Sequence, residues 1–236
     1  MATILITGGT RRLGRALALY YAEQGETVLV VYKDDKKAMR EMQKLALIIG
    51  KKIHAFQTDL TKENLVKKLF SKIKQQYGEL DLLINTVGMF CEQPALELDK
   101  KTFLEVFESN VITAFLCSKY AFPLLKGRKG SIINIGYHDV EKAKPYPNIL
   151  PYAIAKQGVV LVTKTLAKEG FADKIRVNMI SPGIMFNNIS KRHITRKEIP
   201  LGRKGDFEDI IQAVDFLIHD KYITGQNIIV DGGFSL

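Results

Sequence analysis

The stretch TILITGGTRRLG, residues 3–14, joins a short apolar run to a glycine turn, and a helical pattern follows without a break. Leu13, Leu17 and Tyr20 recur at spacings of three and four, which predicts one apolar helix face for packing on a sheet. A strand, a tight turn and a helix in this order present backbone N–H groups and a positive helix end to an anion. Arg11 and Arg12 crowd that positive end, where cations are disfavoured. We therefore predict that a polyanion binds there.

A second apolar run ends in Tyr32 and Lys33. In a dinucleotide-binding fold the end of this strand faces the adenosine ribose, where an acidic side chain would accept the 2′-hydroxyl of NAD. Lys33 instead suits the 2′-phosphate of NADPH, so NADPH is the favoured cofactor. NAD remains an alternative cofactor, because a strand end shifted by one or two residues would place the Asp34 carboxylate on the 2′-hydroxyl of the ribose.

Strand-like and helical patterns alternate along the rest of the chain. The further strand-like runs are 53–58, 80–85, 131–135, 176–180 and 227–230. Apolar residues recur every three or four positions between them, as in Leu65, Leu69, Ile73, Ile210, Val214 and Leu217. This alternation predicts an α/β fold with a Rossmann-type, doubly wound parallel sheet and helices on both faces. At 236 residues the chain fits one domain, residues 1–236.

Composition argues against several other classes of protein. The net charge is +10, but the cations are spread over the predicted helices, so we expect no nucleic-acid partner and a role in attracting anionic ligands. Cys91, Cys117 and the four histidines show no ligand spacing, so no metal site is predicted. A strand that begins at residue 3 and the lack of a long apolar run predict a cytoplasmic protein with no membrane partner.

Tyr152 and Lys156 lie four residues apart in PYAIAK, residues 151–156, so a helix would bring the phenol and the ammonium to one face. At about 4 Å and an effective dielectric near 20, the lysine charge would lower the phenol pKa by about 3 units. A tyrosine with an ordinary pKa of about 10 could then exchange protons near neutral pH. The spacing is common on exposed helices, but after the glycine turn it indicates an acid–base pair.

Together these motifs resemble the short-chain dehydrogenase/reductase family, and the resemblance runs over residues 3–236. Tyr152 and Lys156 match the family's catalytic tyrosine and lysine, and Arg12 replaces the middle glycine of its glycine motif. The other matching positions are Asp59-Leu60, NTVG at 85–88, Asn110 and SPG at 181–183. Arg12 and the ending 222–236 are most similar to pteridine reductases and to bacterial dihydropteridine reductases of the dihydromonapterin type.

The resemblance implies a role for each matching residue. Lys156 would bind the nicotinamide ribose, Tyr152 would donate the proton while NADPH delivers hydride, and Asn110 would position a relay water. Arg12 and Lys33 would bind the 2′-phosphate. The cofactor-binding residues that it implies are Gly8, Thr10, Arg11, Arg12, Leu13, Gly14, Tyr32, Lys33, Asp59, Leu60, Asn85, Gly88, Pro182, Gly183 and Ile184. Residues 184–205 would form a substrate lid, and the family implies a homotetramer assembled through the helix of Tyr152 and the C-terminal strand.

The family's catalytic serine has no counterpart in this chain. The strand at 131–135 is followed by Gly136, Tyr137, His138 and Asp139. Counting the family's usual thirteen residues back from Tyr152 gives Asp139, and pteridine reductases also use an aspartate there. The strand end gives Tyr137, with a loop two residues longer. We prefer Asp139, because a short polar group can sit beside the phenol.

Three functions stay open. The main prediction is an NADPH-dependent reductase that transfers hydride to a carbonyl or imine of a small molecule, most of all a dihydropterin, because of Arg12 and Asp139. The alternative is a 3-oxoacyl-[acyl-carrier-protein] reductase, favoured by Arg128, Lys129 and Lys174 in loops that could contact an acidic carrier. The third is a non-catalytic NADP-binding sensor, which the complete acid–base set disfavours.

Overall fold

The computed structural model describes residues 1–190 and 194–236. In this part of the chain, seven parallel strands form one sheet in the order β3-β2-β1-β4-β5-β6-β7. The strands are β1 (Thr3–Thr7), β2 (Thr27–Tyr32), β3 (Ile53–Gln57), β4 (Leu82–Asn85), β5 (Ser131–Ile135), β6 (Arg176–Pro182) and β7 (Asn227–Val230). The strand order reverses between β1 and β4, which is the switch point of a doubly wound sheet. The predicted Rossmann-type architecture is confirmed.

Helices cover both faces of this sheet. They are α1 (Arg12–Glu23), α2 (Lys36–Ile48), α3 (Glu63–Tyr77), α4 (Lys100–Phe107), α5 (Thr113–Leu125), α6 (Leu150–Glu169) and α7 (Phe207–His219). Helices α1, α2 and α7 share one core with Ile4 and Ile6, whereas α3, α5 and the end of α6 share the other with Leu5. Side chains alternate between the two faces of a strand, so the continuous apolar runs are buried on both sides.

The buried face of α3 differs by one position from the predicted one. Leu69 and Ile73 are buried as expected, but Leu65 is 37% exposed and Val66 is buried instead. A helix turns 100° per residue, so a strict four-residue repeat drifts by about 40° at each step. Leu65 has drifted off the face that Leu69 and Ile73 share.

The predicted lid leaves the end of β6 and returns at α7. Met185 pairs with Gly205 in a parallel bridge, and a short 3-10 turn covers Arg196–Glu198. Lys191, Arg192 and His193, which the prediction includes in the lid, lie outside the described residues. Among the helices that are described, none is long and apolar enough to cross a membrane.

Candidate active site

A cavity of about 540 Å³ opens at the carboxyl ends of β1, β4, β5 and β6. Ligands of open α/β sheets bind in this position, outside the strand ends at the switch point. The predicted site residues that line the cavity are Arg12, Leu13, Gly88, Asp139, Tyr152, Pro182, Gly183 and Ile184. Segments that are far apart in the sequence therefore meet around one space.

The glycine turn after β1 has the shape that a dinucleotide phosphate requires. Gly8 has a φ of +64°, and a Cβ on Gly14 would lie 2.4 Å from the carbonyl oxygen of Gly8. No side chain of the described residues caps the N-terminus of α1, where Arg11 occupies the cap position. The first N–H groups of α1 are thus left for an anion, and the residues present fit a nicotinamide dinucleotide.

Two cations lie at the carboxyl end of β2. Lys33 pairs with Asp59 through an Nζ–Oδ2 distance of 3.0 Å, and Arg11 pairs with Asp35. Asp35 also accepts a hydrogen bond from the backbone of Ala38 and so caps α2. Lys33 and Arg11 therefore both lie near the end of β2, where the 2′-phosphate is predicted to bind.

The side chain of Arg12 is directed to the lid in this structure, and its role on the 2′-phosphate stays a prediction. Its Nη1 donates to the carbonyl oxygen of Asn187 at 3.3 Å, and its side chain lines the cavity. The backbone of Arg12 is left-handed, with a φ of +47°. Arg11 and Arg12 are neighbours on the turn but contact different regions. Arg11 contacts Asp35, which follows β2, and Arg12 contacts the lid.

Helix α6 brings Tyr152 and Lys156 to one face, as their spacing predicts. The Lys156 Nζ lies 5.7 Å from the centre of the Tyr152 ring. It also donates a hydrogen bond of 2.7 Å to the carbonyl oxygen of Ile135, at the end of β5. This bond fixes the ammonium between the helix and the sheet.

Asn110 lies in a π-helical segment, Glu108–Ile112, between α4 and α5. Its Nδ2 donates to the carbonyl oxygens of Met89 and Val106 at 2.9 Å, whereas its buried Oδ1 has no partner in the described structure. A Cβ on Gly88 would lie 2.2 Å from this Oδ1 and 3.3 Å from the Lys156 Nζ. Because Gly88 has no side chain, the Asn110 Oδ1 and the Lys156 Nζ can both lie close to its backbone.

Burial opposes the predicted ionisation of Tyr152. Loss of solvation raises the pKa of Tyr152 above its ordinary value and lowers the pKa of Lys156 to about 8. The prediction assumed that the nearby ammonium would dominate, but desolvation of the phenolate outweighs it here. Tyr152 is therefore protonated at neutral pH, which is the state that can donate a proton.

Tyr137 packs against Tyr152, which favours the alternative drawn from the strand end over the preferred Asp139. The two tyrosine rings lie 5.5 Å apart. Asp139 still lines the cavity, but its carboxylate pairs with Lys142 at 3.2 Å and accepts a hydrogen bond from Lys144. All three residues lie in the segment between β5 and α6.

The hydroxyl of Tyr137 is buried and has no hydrogen-bond partner among the residues described. The nearby Tyr146 donates its own hydroxyl to the backbone carbonyls of Asp139 and Lys142. Burial raises the pKa of Tyr137, so its phenol is a neutral donor. The neighbouring Tyr146 hydroxyl adds to this pKa shift, so Tyr137 is a neutral phenol beside both Tyr146 and Tyr152.

Aromatic side chains form much of the remaining wall. Phe90 meets the Tyr152 ring edge-on at 5.0 Å, and His138 meets Phe234 in the same way at 5.0 Å. Sequence reasoning missed Phe234 and Lys144, since a C-terminal residue and a loop lysine carry no motif. Asn85 does not line the cavity; it donates to Asn134 at 2.9 Å and braces neighbouring strands. No acidic, histidine or cysteine cluster of the described residues could hold a metal ion.

Comparison with known proteins agrees with this geometry. The family model for Enoyl-(Acyl carrier protein) reductase matches residues 8–235. A short-chain dehydrogenase/reductase of Serratia marcescens has a similar structure, with a TM-score of 0.90, 26% identity and coverage of 100% of this chain and 98% of that one. The chain belongs to the short-chain dehydrogenase/reductase family. It is an oxidoreductase, and reductases of this family use nicotinamide cofactors.

Two relatives show which members of the family this chain is similar to. A 3-oxoacyl-[acyl-carrier-protein] reductase of Bos taurus is 31% identical over 235 residues, which cover 98% of this chain and 97% of that protein. A protein of the same activity from Staphylococcus epidermidis is 32% identical over 238 residues, with 97% of each chain covered. Both names match the predicted alternative function rather than the main prediction, a pteridine reductase.

Proposed function

We propose that this protein is an NADPH-dependent reductase of 3-oxoacyl thioesters. The observation that carries the proposal is the neutral phenol of Tyr137 against Tyr152, where the main prediction required a carboxylate. A ketone reductase needs neutral donors where negative charge develops on the carbonyl oxygen, whereas an ionised carboxylate would repel it. Asp139, the group that favoured a dihydropterin, is instead paired with Lys142 and Lys144. The similarity to 3-oxoacyl-[acyl-carrier-protein] reductases supports the same substrate class.

Each polar side chain of the site has a task in this reaction. When bound, the nicotinamide supplies the hydride. Tyr152 donates its proton to the carbonyl oxygen, and Tyr137 donates a hydrogen bond to the same oxygen. Lys156, held at the carbonyl of Ile135, stabilises the phenolate that remains. Asn110 would position a water that passes a proton from solvent through Lys156 to Tyr152.

The natural test of this function is a comparison of substrates. With NADPH as the reductant, we expect kcat/KM for an acetoacetyl thioester to exceed that for a 7,8-dihydropterin by at least about tenfold, or 1.4 kcal/mol. The measurement is the loss of NADPH absorbance with each substrate at equal concentration. Efficient dihydropterin turnover without thioester turnover would reject the proposal.

A dihydropterin reductase is the second candidate. Arg12, which stands in the glycine motif, has its side chain in the cavity wall, and the Phe90 edge faces the Tyr152 ring. A flat, polar ring could stack in this corner and receive hydrogen bonds from the guanidinium. The same comparison of substrates distinguishes it from the first proposal.

The two positions after β5 should respond differently to substitution. Tyr137→Phe should lower kcat for the thioester by at least about tenfold, because a donor to the developing oxyanion is lost. Asp139→Asn should have the smaller effect, since its carboxylate faces Lys142 and Lys144. Steady-state kinetics of both variants provide the check. If Asp139→Asn lowered kcat more than Tyr137→Phe, Asp139 would be assigned the role of the missing serine.

Selection of NADPH over NADH rests on the cations at the end of β2. Lys33→Ala and Arg11→Ala should each weaken NADPH binding by about tenfold and leave NADH binding nearly unchanged, since each removes one charge-assisted contact at an exposed position. Fluorescence titration of both cofactors measures this. Lys67→Ala, an exposed lysine on α3, is the matched control. Equal affinity of the unaltered protein for both cofactors would move the ribose contact to Asp34.

We also propose that the protein assembles as a homotetramer. Helices α5 and α6 expose apolar side chains, with Phe115 and Ile154 each 39% exposed and Leu161 68% exposed. The edge strand β7 likewise exposes Ile229. Four chains joined through these surfaces would bury them, as in the homotetramer that the family implies. Native mass spectrometry should give four times the chain mass of 26.6 kDa, and a single-chain mass would contradict it.

A further inference from the structure

Three residues other than glycine adopt a left-handed backbone conformation in the described structure. They are Arg12, Lys129 and Lys174, with φ values of +47°, +51° and +55°. A side chain is disfavoured in this conformation, and glycine is not. Lys129 follows the 3-10 turn after α5, and Lys174 lies in the turn before β6. Arg12 alone of the three lies beside the cavity, where strain is often retained for function.

The side chain of Arg12 reaches the first part of the lid. Its hydrogen bond to Asn187 joins residues 175 positions apart in the sequence. Just before Asn187, the lid is attached to the start of α7: Phe186 donates to the carbonyl of Gly205 at 2.8 Å, and its ring meets Phe207 at 5.1 Å. The lid is therefore held at Phe186 by Gly205 and Phe207, and at Asn187 by Arg12. The contact with Arg12 joins the lid to the glycine turn.

We propose that Arg12 is a positioning residue that holds the lid segment 187–190 against the glycine turn. Arg12 and all four residues of this segment line the cavity. Without the guanidinium, the segment would lose its hydrogen bond to the turn, and the cavity would open to solvent on this side. The same glycine turn leads to the N–H groups of α1 that are left for the cofactor phosphate. The lid would therefore be held in place by the element that binds the cofactor. The effect on turnover rests on the proposed function, whereas the position of the lid does not.

Limited proteolysis of the ligand-free protein tests the position of the lid directly. Chymotrypsin cleaves after Phe186, which is 58% exposed, and none of the variants changes this bond. Arg12→Gly should be cleaved there about three to ten times faster than the unaltered protein, the change expected on losing one hydrogen bond. Lys129→Gly and Lys174→Gly relieve the same kind of backbone strain away from the lid and should be cleaved at the unaltered rate.

Thermal unfolding separates a local effect from a global one. Glycine suits the backbone at position 12, so Arg12→Gly should unfold at or above the temperature of the unaltered protein. An unchanged cleavage rate in Arg12→Gly would overturn the proposal. So would equal acceleration in Lys129→Gly, or a fall in unfolding temperature that accounts for the faster cleavage.

Kinetics provide the second readout. Arg12→Gly should raise KM for the acetoacetyl thioester about threefold to tenfold and change kcat by less than about twofold, because the lid contributes equally to binding substrate and transition state. A loss confined to kcat would overturn the positioning role. If no thioester is reduced, the proposed function fails while the cleavage rates still decide the role of Arg12.

Discussion

Replacing Tyr152 with phenylalanine should lower kcat by at least about a hundredfold, the usual contribution of a positioned general acid. The variant keeps the ring and its packing against Phe90 and Tyr137, at 5.0 and 5.5 Å, so the fold and the cavity should be preserved. What it lacks is the proton that burial keeps on the phenol at neutral pH. NADPH oxidation with an acetoacetyl thioester measures the loss, and NADPH titration should show an affinity within about threefold of the unaltered protein.

The matched control for this change is Tyr222→Phe. Tyr222 is 99% exposed, so the same loss of a hydroxyl there should leave kcat unaltered. If Tyr152→Phe kept more than a tenth of kcat, which corresponds to about 1.4 kcal/mol of barrier, Tyr152 would not be the proton donor.

Lys156→Met should damage both turnover and cofactor binding, by about a hundredfold in kcat and about tenfold in NADPH affinity. Methionine fills a similar volume but cannot donate to the carbonyl of Ile135 or stabilise a phenolate. Burial lowers the pKa of Lys156 to about 8, so the side chain loses its charge as the pH rises through that value. We expect kcat/KM of the unaltered enzyme to fall on the alkaline side of about pH 8, and this fall should be absent from the variant.

The control for Lys156→Met is Lys168→Met, an exposed lysine near the end of the same helix. It should keep both the rate and the pH profile, since it removes an ammonium that lies far along α6 from the cavity. Retention of the alkaline fall in Lys156→Met would assign that ionisation to another group. A kcat within tenfold of the unaltered value would remove Lys156 from the mechanism.

The sequence alone determined the fold and the common helix face of Tyr152 and Lys156, because both follow from short-range patterns. The run at 3–14 and the later alternation of strand-like and helical patterns predicted the sheet, and β1, β5 and β7 lie at the predicted residues. The spacing of Tyr152 and Lys156 placed them on one helix face, since a helix fixes the direction of neighbouring side chains. Periodicity of this kind is local, so it can be read without knowing what else packs nearby.

Side-chain direction after an irregular segment could not be read in the same way. Arg12 contacts the lid, whereas its neighbour Arg11 pairs with Asp35. After β5, Tyr137 packs against Tyr152 and Asp139 pairs with two lysines. Counting thirteen residues back from Tyr152 assumes a loop of the family's usual length. If the loop is two residues longer, that count selects Asp139 instead of Tyr137.

The ionisation of the site was decided by tertiary structure alone. A charge at about 4 Å predicted a lowered phenol pKa for Tyr152, whereas its burial raised that pKa and lowered the pKa of Lys156 to about 8. Desolvation depends on every segment that closes over a side chain, and here Phe90, Tyr137 and Ile135 come from separate parts of the chain. Sequence spacing therefore determined which groups could meet, and only packing determined which of them carry charge.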